Sequence, residues 1–197
     1  MYQPPHFQEV SKAKAFDFIE KFPFATLISR EPFGGSHLPI MTDKSKTSLL
    51  TNVAAKNDLA QLKVGANVLA IFQGPHAYIS PGLYKSEQSV PTWNYIAVHV
   101  QGRIICSDSS MSEQILMDLV DFMEPDYRRK WQKMPADFKA GLLNQMRPLE
   151  IEISSIEMTR KLSQNKPKTD REKISDYLLS TDNTNAHKVA VEMKKEI

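Results

Sequence analysis

Residues 74–102 read GPHAYISPGLYKSEQSVPTWNYIAVHVQG, and the order of breakers and alternating runs in this stretch decides the fold. Gly74-Pro75 is a turn signal that follows the apolar run Val68 to Phe72. His76-Ala77-Tyr78-Ile79 then alternates polar with apolar, the pattern of a half-buried strand. Ser80-Pro81-Gly82 breaks that strand, and Lys85 to Ser89 reads as an exposed loop. After Val90-Pro91 the run Thr92 to Val100 is rich in β-branched and aromatic residues and reads as a second strand. Trp93 and Asn94 stand where the loop re-enters the strand. A flat apolar ring beside a side chain that both donates and accepts hydrogen bonds suits a planar heteroaromatic ligand. It suits equally well a barrel end in which the tryptophan plugs the core and the asparagine caps a loop.

Working outward, Ser11 caps a predicted helix that runs to about Phe22, with Phe16, Ile19 and Phe22 as its apolar stripe. Phe24–Ser29 and His37–Met41 read as a hairpin across the turn residues Glu31 to Gly35. Thr47–Asn52 is a further strand, and Ala54–Leu62 reads as a short helix. Val68–Phe72 is a buried strand; the strand from Thr92 can continue to Cys106 with Gly102 as a bulge or bend. The spacing Ser110-x-x-Glu113 predicts a capping box, ahead of a helical face of Ile115, Leu116, Leu119, Phe122 and Met123. A second helix is expected from Pro135 to Met146. Leu149, Ile151 and Ile153 alternate with polar residues as an antiparallel strand does. Helices are expected from Asp170 or Arg171 to Leu179, and through Ala186, Val189, Ala190 and Met193 after a linker at 180–185. Closely spaced strands followed by helices predict a mainly β, α+β fold: a small antiparallel barrel with helical additions.

Composition narrows the function. The chain has 197 residues, with 25 Lys plus Arg against 23 Asp plus Glu. That near-balance gives no electrostatic argument for nucleic acid. The single cysteine, Cys106, excludes an intrachain disulfide and suits a reducing compartment. No basic and apolar leader precedes the first strand, and no apolar run approaches the roughly 18 residues of a membrane span. A cytoplasmic protein is expected. His37, His76 and His99 lack the spacing of metal ligands, and no nucleophile-elbow, dinucleotide or phosphate-loop motif is present. No catalytic residue and no metal site is predicted. Thr51-Asn52 running on to Lys56 puts a hydroxyl, an amide and an ammonium at a strand end, chemistry that suits a phosphate if a helix begins there.

The strings FQGPHAYISP and VPTWNYIAVHV, together with MYQPPHF at 1–7, PFATLIS at 23–29, SHLPI at 36–40 and KLSQN at 161–165, resemble in order the PaiB family of FMN-binding negative transcriptional regulators. The resemblance covers most of residues 1–175. It implies a split β-barrel like that of pyridoxamine phosphate oxidases, a homodimer, and FMN in a cleft between subunits. It implies cofactor contacts at His37, Thr51, Asn52, Lys56, Trp93, Asn94, Lys161 and Gln164, and it admits DNA as a partner, although no helix-turn-helix is legible. The phosphate segment departs from the family pattern: Ala55 stands where Arg is more usual, with Lys56 one place on. The expected organisation is a flavin domain at 1–179 with a helical insertion at about 109–146, then a linker and helix at 180–197. Two other functions fit the same barrel: an FMN-dependent oxidoreductase, and a small-molecule binding protein that has lost FMN.

Overall fold

A computed structural model describes all residues, 1–197. The chain forms β1 (Gln8–Glu9), α1 (Lys12–Lys21), β2 (Phe24–Arg30), β3 (Phe33–Pro39), β4 (Met41–Thr42) and β5 (Ser48–Ala54). Two long strands follow, β6 (Asn67–Ile79) and β7 (Thr92–Cys106). Next come α2 (Ser112–Met123), α3 (Tyr127–Gln132), α4 (Ala136–Leu143), β8 (Met146–Lys161), α5 (Lys168–Leu179) and α6 (Thr184–Lys194). Hydrogen bonding orders the strands β3-β2-β6-β7-β8-β5-β4, with β1 paired to β8. No helix is long and apolar enough to cross a membrane.

The residues fall into two units, each with its own core. One contains Phe16–Phe72 and His99–Ile156. Here β2 pairs antiparallel with β3 from Phe24↔Pro39 to Arg30↔Phe33, so the hairpin turns at Glu31 and Pro32, joined by a cis peptide. Gly34 and Gly35 therefore lie within β3 and not in the turn expected from them. On its other side β2 pairs with β6 through Val68 to Ile71. β5 pairs with β8 from Ser48↔Glu152 to Ala54↔Met146. The buried side chains Leu27, Leu49, Phe72 and Leu149 come from these strands, with Ile104 from β7, Ile40 from the link between β3 and β4, and Ile115 from α2. Each such side chain stabilises the fold by about 1.5–3 kcal/mol relative to exposure. Gly102 is a point of close approach: a Cβ there would lie 2.5 Å from the Glu152 carbonyl oxygen.

The other unit contains Met1–Ala15, Gln73–Val98 and Glu157–Ile197. β1 pairs with β8 at Gln8↔Thr159 and Glu9↔Met158. The Ser11 hydroxyl accepts from Lys14 N–H at 3.4 Å, the expected cap of α1. Ile79, Ile96 and Val98 are buried with Ile174 and Leu178 of α5, and α6 buries the predicted stripe Ala186, Val189, Ala190 and Met193. The Asn183 carboxamide caps α6 by accepting from Ala186 N–H at 3.0 Å.

Three local expectations are corrected. β6 runs without a break through Gly74-Pro75, because its pairing with β2 ends at Ile71 and the missing proline N–H removes no bond from that ladder. Ser110 does not make a capping box. Asp108 accepts from Ser110 N–H instead, and the Glu113 carboxylate accepts from Trp131 Nε1 at 2.7 Å. The helix expected at Ala54–Leu62 is a single 3₁₀ turn, Asp58–Gln61, whose Leu59 N–H is capped by Asn57.

Candidate functional site

Four of the predicted contact residues, His37, Thr51, Asn52 and Lys56, lie in the Phe16–Phe72, His99–Ile156 unit. Thr51 and Asn52 sit on β5, where alternation turns them to opposite faces. Thr51 is fully buried and its hydroxyl donates to the Pro39 carbonyl at 2.8 Å. Asn52 Nδ2 reaches the Ser112 carbonyl at 3.4 Å, while Asn52 Oδ1 is buried without any partner. The Ser112 hydroxyl is buried and unpartnered as well.

Asn52 lines a cavity of about 490 Å³, whose other walls are apolar except for Gln145 and come from β5, the helical insertion, Pro39 of β3 and Met146 of β8. Leu116, Leu119, Val120 and Met123 contribute one stripe of α2, and Leu142 adds the end of α4. The volume is that of a small-molecule site. Sequence reading found an α2 face of Ile115, Leu116, Leu119, Phe122 and Met123 but assigned it no ligand. The spacing 116, 119, 120, 123 was the available signal.

Past the end of β5, Ala55 N–H donates to the Gln145 carbonyl at 2.8 Å, and Lys56 projects into solvent. Asn57 Nδ2 donates to Ser36 Oγ at 2.8 Å, which ties this turn to β3 beside His37. His37 is exposed and stacks on Phe24 with centroids 6.2 Å apart. Lys56 therefore offers a point charge without a helix terminus behind it. The structure thus ties the Lys56 turn to the strand bearing His37, and puts Asn52 on the cavity wall. Thr51 faces away with its hydroxyl engaged.

The other four lie in the second unit. Asn94 has no exposed surface; its amide exchanges hydrogen bonds with the Ser163 hydroxyl at 3.0 and 3.1 Å and reaches Met193 Sδ at 3.4 Å. Trp93, its neighbour, points the opposite way and is 52 % exposed, so the ring is not a core plug. Lys161 Nζ donates to Thr92 Oγ1 at 2.5 Å and lies 5.8 Å from the Phe7 ring. Partial burial holds its ammonium below the ordinary lysine range. Gln164 closes its own turn: Nε2 donates to the Arg160 carbonyl at 2.5 Å and Oε1 accepts from Leu162 N–H at 2.8 Å. Ser163, between them, takes a left-handed backbone at φ 63° and is the residue of this turn that sequence reading passed over. No three His, Cys, Asp or Glu side chains come together to hold a metal.

The residues around the first cavity fit a flavin. A flavin ring is flat and largely apolar, with N–H and carbonyl groups on one edge. The apolar walls match its faces, and the orphaned Asn52 Oδ1 lacks the donor that such an edge carries. A buried acceptor left without a partner costs about 1–3 kcal/mol, which a ligand N–H would recover. Lys56 fits a phosphate monoester at the other end of the molecule.

The model of a family described as "Putative FMN-binding domain" matches residues 1–155. The chain is 29 % identical over 205 residues to "Protease synthase and sporulation protein PAI 2" of Bacillus subtilis (strain 168), across 100 % of this chain and 98 % of that relative. Among solved structures, the FAD and heme binding protein from Mycobacterium smegmatis superposes with a TM-score of 0.62 at 12 % identity, over 78 % of this chain and 73 % of that one. The flavocytochrome Anf3 from Azotobacter vinelandii gives 0.62 at 10 %, over 78 % and 69 %. The likeness is one of fold: antiparallel strands with helical additions, in the split-barrel arrangement.

Proposed function

This chain belongs to the PaiB-type family of FMN-binding domains, and from that premise we propose that it is a cytoplasmic, homodimeric negative regulator of transcription whose flavin occupies the Asn52 cavity. The observation that carries the reading is the buried, unpartnered Asn52 Oδ1 on the wall of an apolar space of about 490 Å³. In this reading Asn52 orients the ring edge and Lys56 neutralises the phosphate. Thr51 fixes the middle of β5 to the end of β3 through the Pro39 carbonyl, and His37 flanks the phosphate turn from β3. Asn94, Lys161 and Gln164 brace the second unit and do not touch the flavin. Bound FMN supplies a ring that can be reduced and reoxidised, which a regulator can use to sense redox state. The matching organisation is a flavin domain at 1–179, with its helical insertion at about 109–146, and a linker and helix at 180–197. Support for a dimer comes from β3, which ends the strand order and carries the solvent-exposed Phe33, with Phe24 exposed on the neighbouring β2.

The test is a titration of the apo-protein with FMN and with riboflavin, followed by flavin fluorescence. FMN should bind at one per chain and more tightly than riboflavin. Asn52→Ala should weaken both ligands, and Lys56→Ala should close the gap between them. Failure to bind FMN would overturn the proposal. DNA contact is tested by salt-dependent binding to the protein's own promoter. Sustained turnover of a reduced nicotinamide with no DNA binding would replace the regulator reading with an oxidoreductase. A monomer by light scattering at micromolar concentration would remove the dimer.

A further inference from the structure

We propose that the protein has a second small-molecule site, separate from the Asn52 cavity, that takes an uncharged planar heterocycle of the nucleobase or nucleoside class. The site is a pocket of about 330 Å³ whose walls all belong to the Met1–Ala15, Gln73–Val98, Glu157–Ile197 unit. His76 and Tyr78 of β6, Trp93 of β7, Tyr177 of α5, and Asn183 and Asn185 at the start of α6 line it. The Trp93 centroid is 6.0 Å from those of both His76 and Tyr78, and Tyr78 meets it nearly edge-on, at 71°.

Three features point to the ligand. The first is the aromatic surface. Tyr78, Trp93 and Tyr177 leave 50 %, 52 % and 49 % of their area in water, and all three line the same hollow. Strand alternation explains how they reach it: Ala77 and Asn94 turn into the core, so Tyr78 and Trp93 turn outward. Such rings offer π-faces on which any base can stack.

The second is charge. No Lys, Arg, Asp or Glu lines the pocket. A phosphate or carboxylate would lose hydration there and meet no Lys or Arg, which disfavours it. The polar groups present include the His76 imidazole, the amides of Asn183 and Asn185, and the hydroxyls of Ser80 and Thr181, groups that can donate and accept. A neutral ring edge bearing N–H and C=O groups matches that set, whereas FMN brings a phosphate that the pocket cannot neutralise.

The third is provenance. The FMN-binding family match ends at residue 155, while Tyr177, Asn183 and Asn185 lie beyond it. The stretch that matches the flavin family does not by itself complete this pocket. Its occupant is accordingly a second ligand, in the position of an effector.

The experiment uses the full chain saturated with FMN and measures binding of adenosine, guanosine, uridine and cytidine by ligand-observed NMR and calorimetry. At least one should bind, without displacing FMN. Tyr177→Ala should weaken that nucleoside about tenfold, within the range for losing one stacked ring, and leave FMN affinity unchanged. If Tyr177→Ala proves unfolded by circular dichroism, Asn185→Ala, at an exposed position, carries the same expectation through the lost amide. Three results would overturn the proposal: no binding by any of the four at millimolar concentration, equal binding by the folded variants, or competition with FMN for one place.

Discussion

Replacing Trp93 with alanine should disturb folding less than replacing the much smaller Asn94 beside it. About half of the tryptophan is already in water, so its removal forfeits roughly 100 Å² of apolar burial. At about 25 cal/mol per Å² that is about 2.5 kcal/mol, an upper figure because real unfolded chains are themselves partly collapsed. No closed cavity forms at a surface, so the expected loss is about 1–2 kcal/mol, against about 3–5 for a buried ring. Asn94 is fully buried, and its amide makes two bonds with the Ser163 hydroxyl, which is itself buried. Removing them forfeits about 1 kcal/mol each and strands part of the hydroxyl, for a total of about 2–4 kcal/mol. The assay is urea unfolding of the apo-protein, read as a shift in midpoint at unchanged slope. Combining Asn94→Ala with Ser163→Ala should cost about 0.5–3 kcal/mol less than the sum of the singles, since both changes break the same bonds. A Trp93→Ala loss larger than that of Asn94→Ala would refute the assignment of the ring to the surface and the amide to the core.

Gly102→Ala should destabilise by about 3 kcal/mol or prevent folding, because the new Cβ would meet the Glu152 carbonyl oxygen and Ile151 Cγ2 at 2.5 Å and backbone cannot yield as a side-chain tip does. An unfolding midpoint equal to wild type would contradict that close approach. Burial pushes the Asp43 carboxyl up, but the Ser45 hydroxyl and the N–H groups of Ser48, Thr47 and Ser45 outweigh it and hold the group below the usual carboxylate range. Its contribution is therefore fully present above the unfolded value of about 3.9 and is lost as pH falls through the folded value, so Asp43→Asn should flatten the acid limb of stability against pH. Parallel acid limbs for the two proteins would remove Asp43 from the account. Lys56→Ala should weaken FMN by about 1–3 kcal/mol, the scale of a charged hydrogen bond, and unchanged affinity would place the phosphate elsewhere.

Much of this architecture is legible in the residues themselves. The stripe Ala186, Val189, Ala190, Met193 is buried as its helical spacing requires, and the strand from Thr92 does run through Gly102 to Cys106. What escaped depends on neighbours distant in sequence. Whether Pro75 breaks a strand depends on whether a partner strand needs an N–H at that position, and β2 stops short of it. Ser110 and Glu113 have the spacing of a capping box, but Asp108 competes for Ser110 N–H and Trp131 takes the glutamate. At the candidate site, Trp93 and Asn94 read alike as pocket residues. One residue of register decides which of two adjacent strand positions faces the core, and here it is Asn94. The Asn52 cavity needs walls from α2 and α4, far along the chain from β5, so only half of it could be read.

The most direct test of the flavin assignment is a crystal structure of the protein reconstituted with FMN. One FMN per chain is expected, with an N–H of the ring donating to Asn52 Oδ1, the ring between the α2 stripe and β5, and the phosphate beside Lys56. A flavin ring stacked on Trp93, with Asn52 Oδ1 still unpartnered, would contradict that assignment.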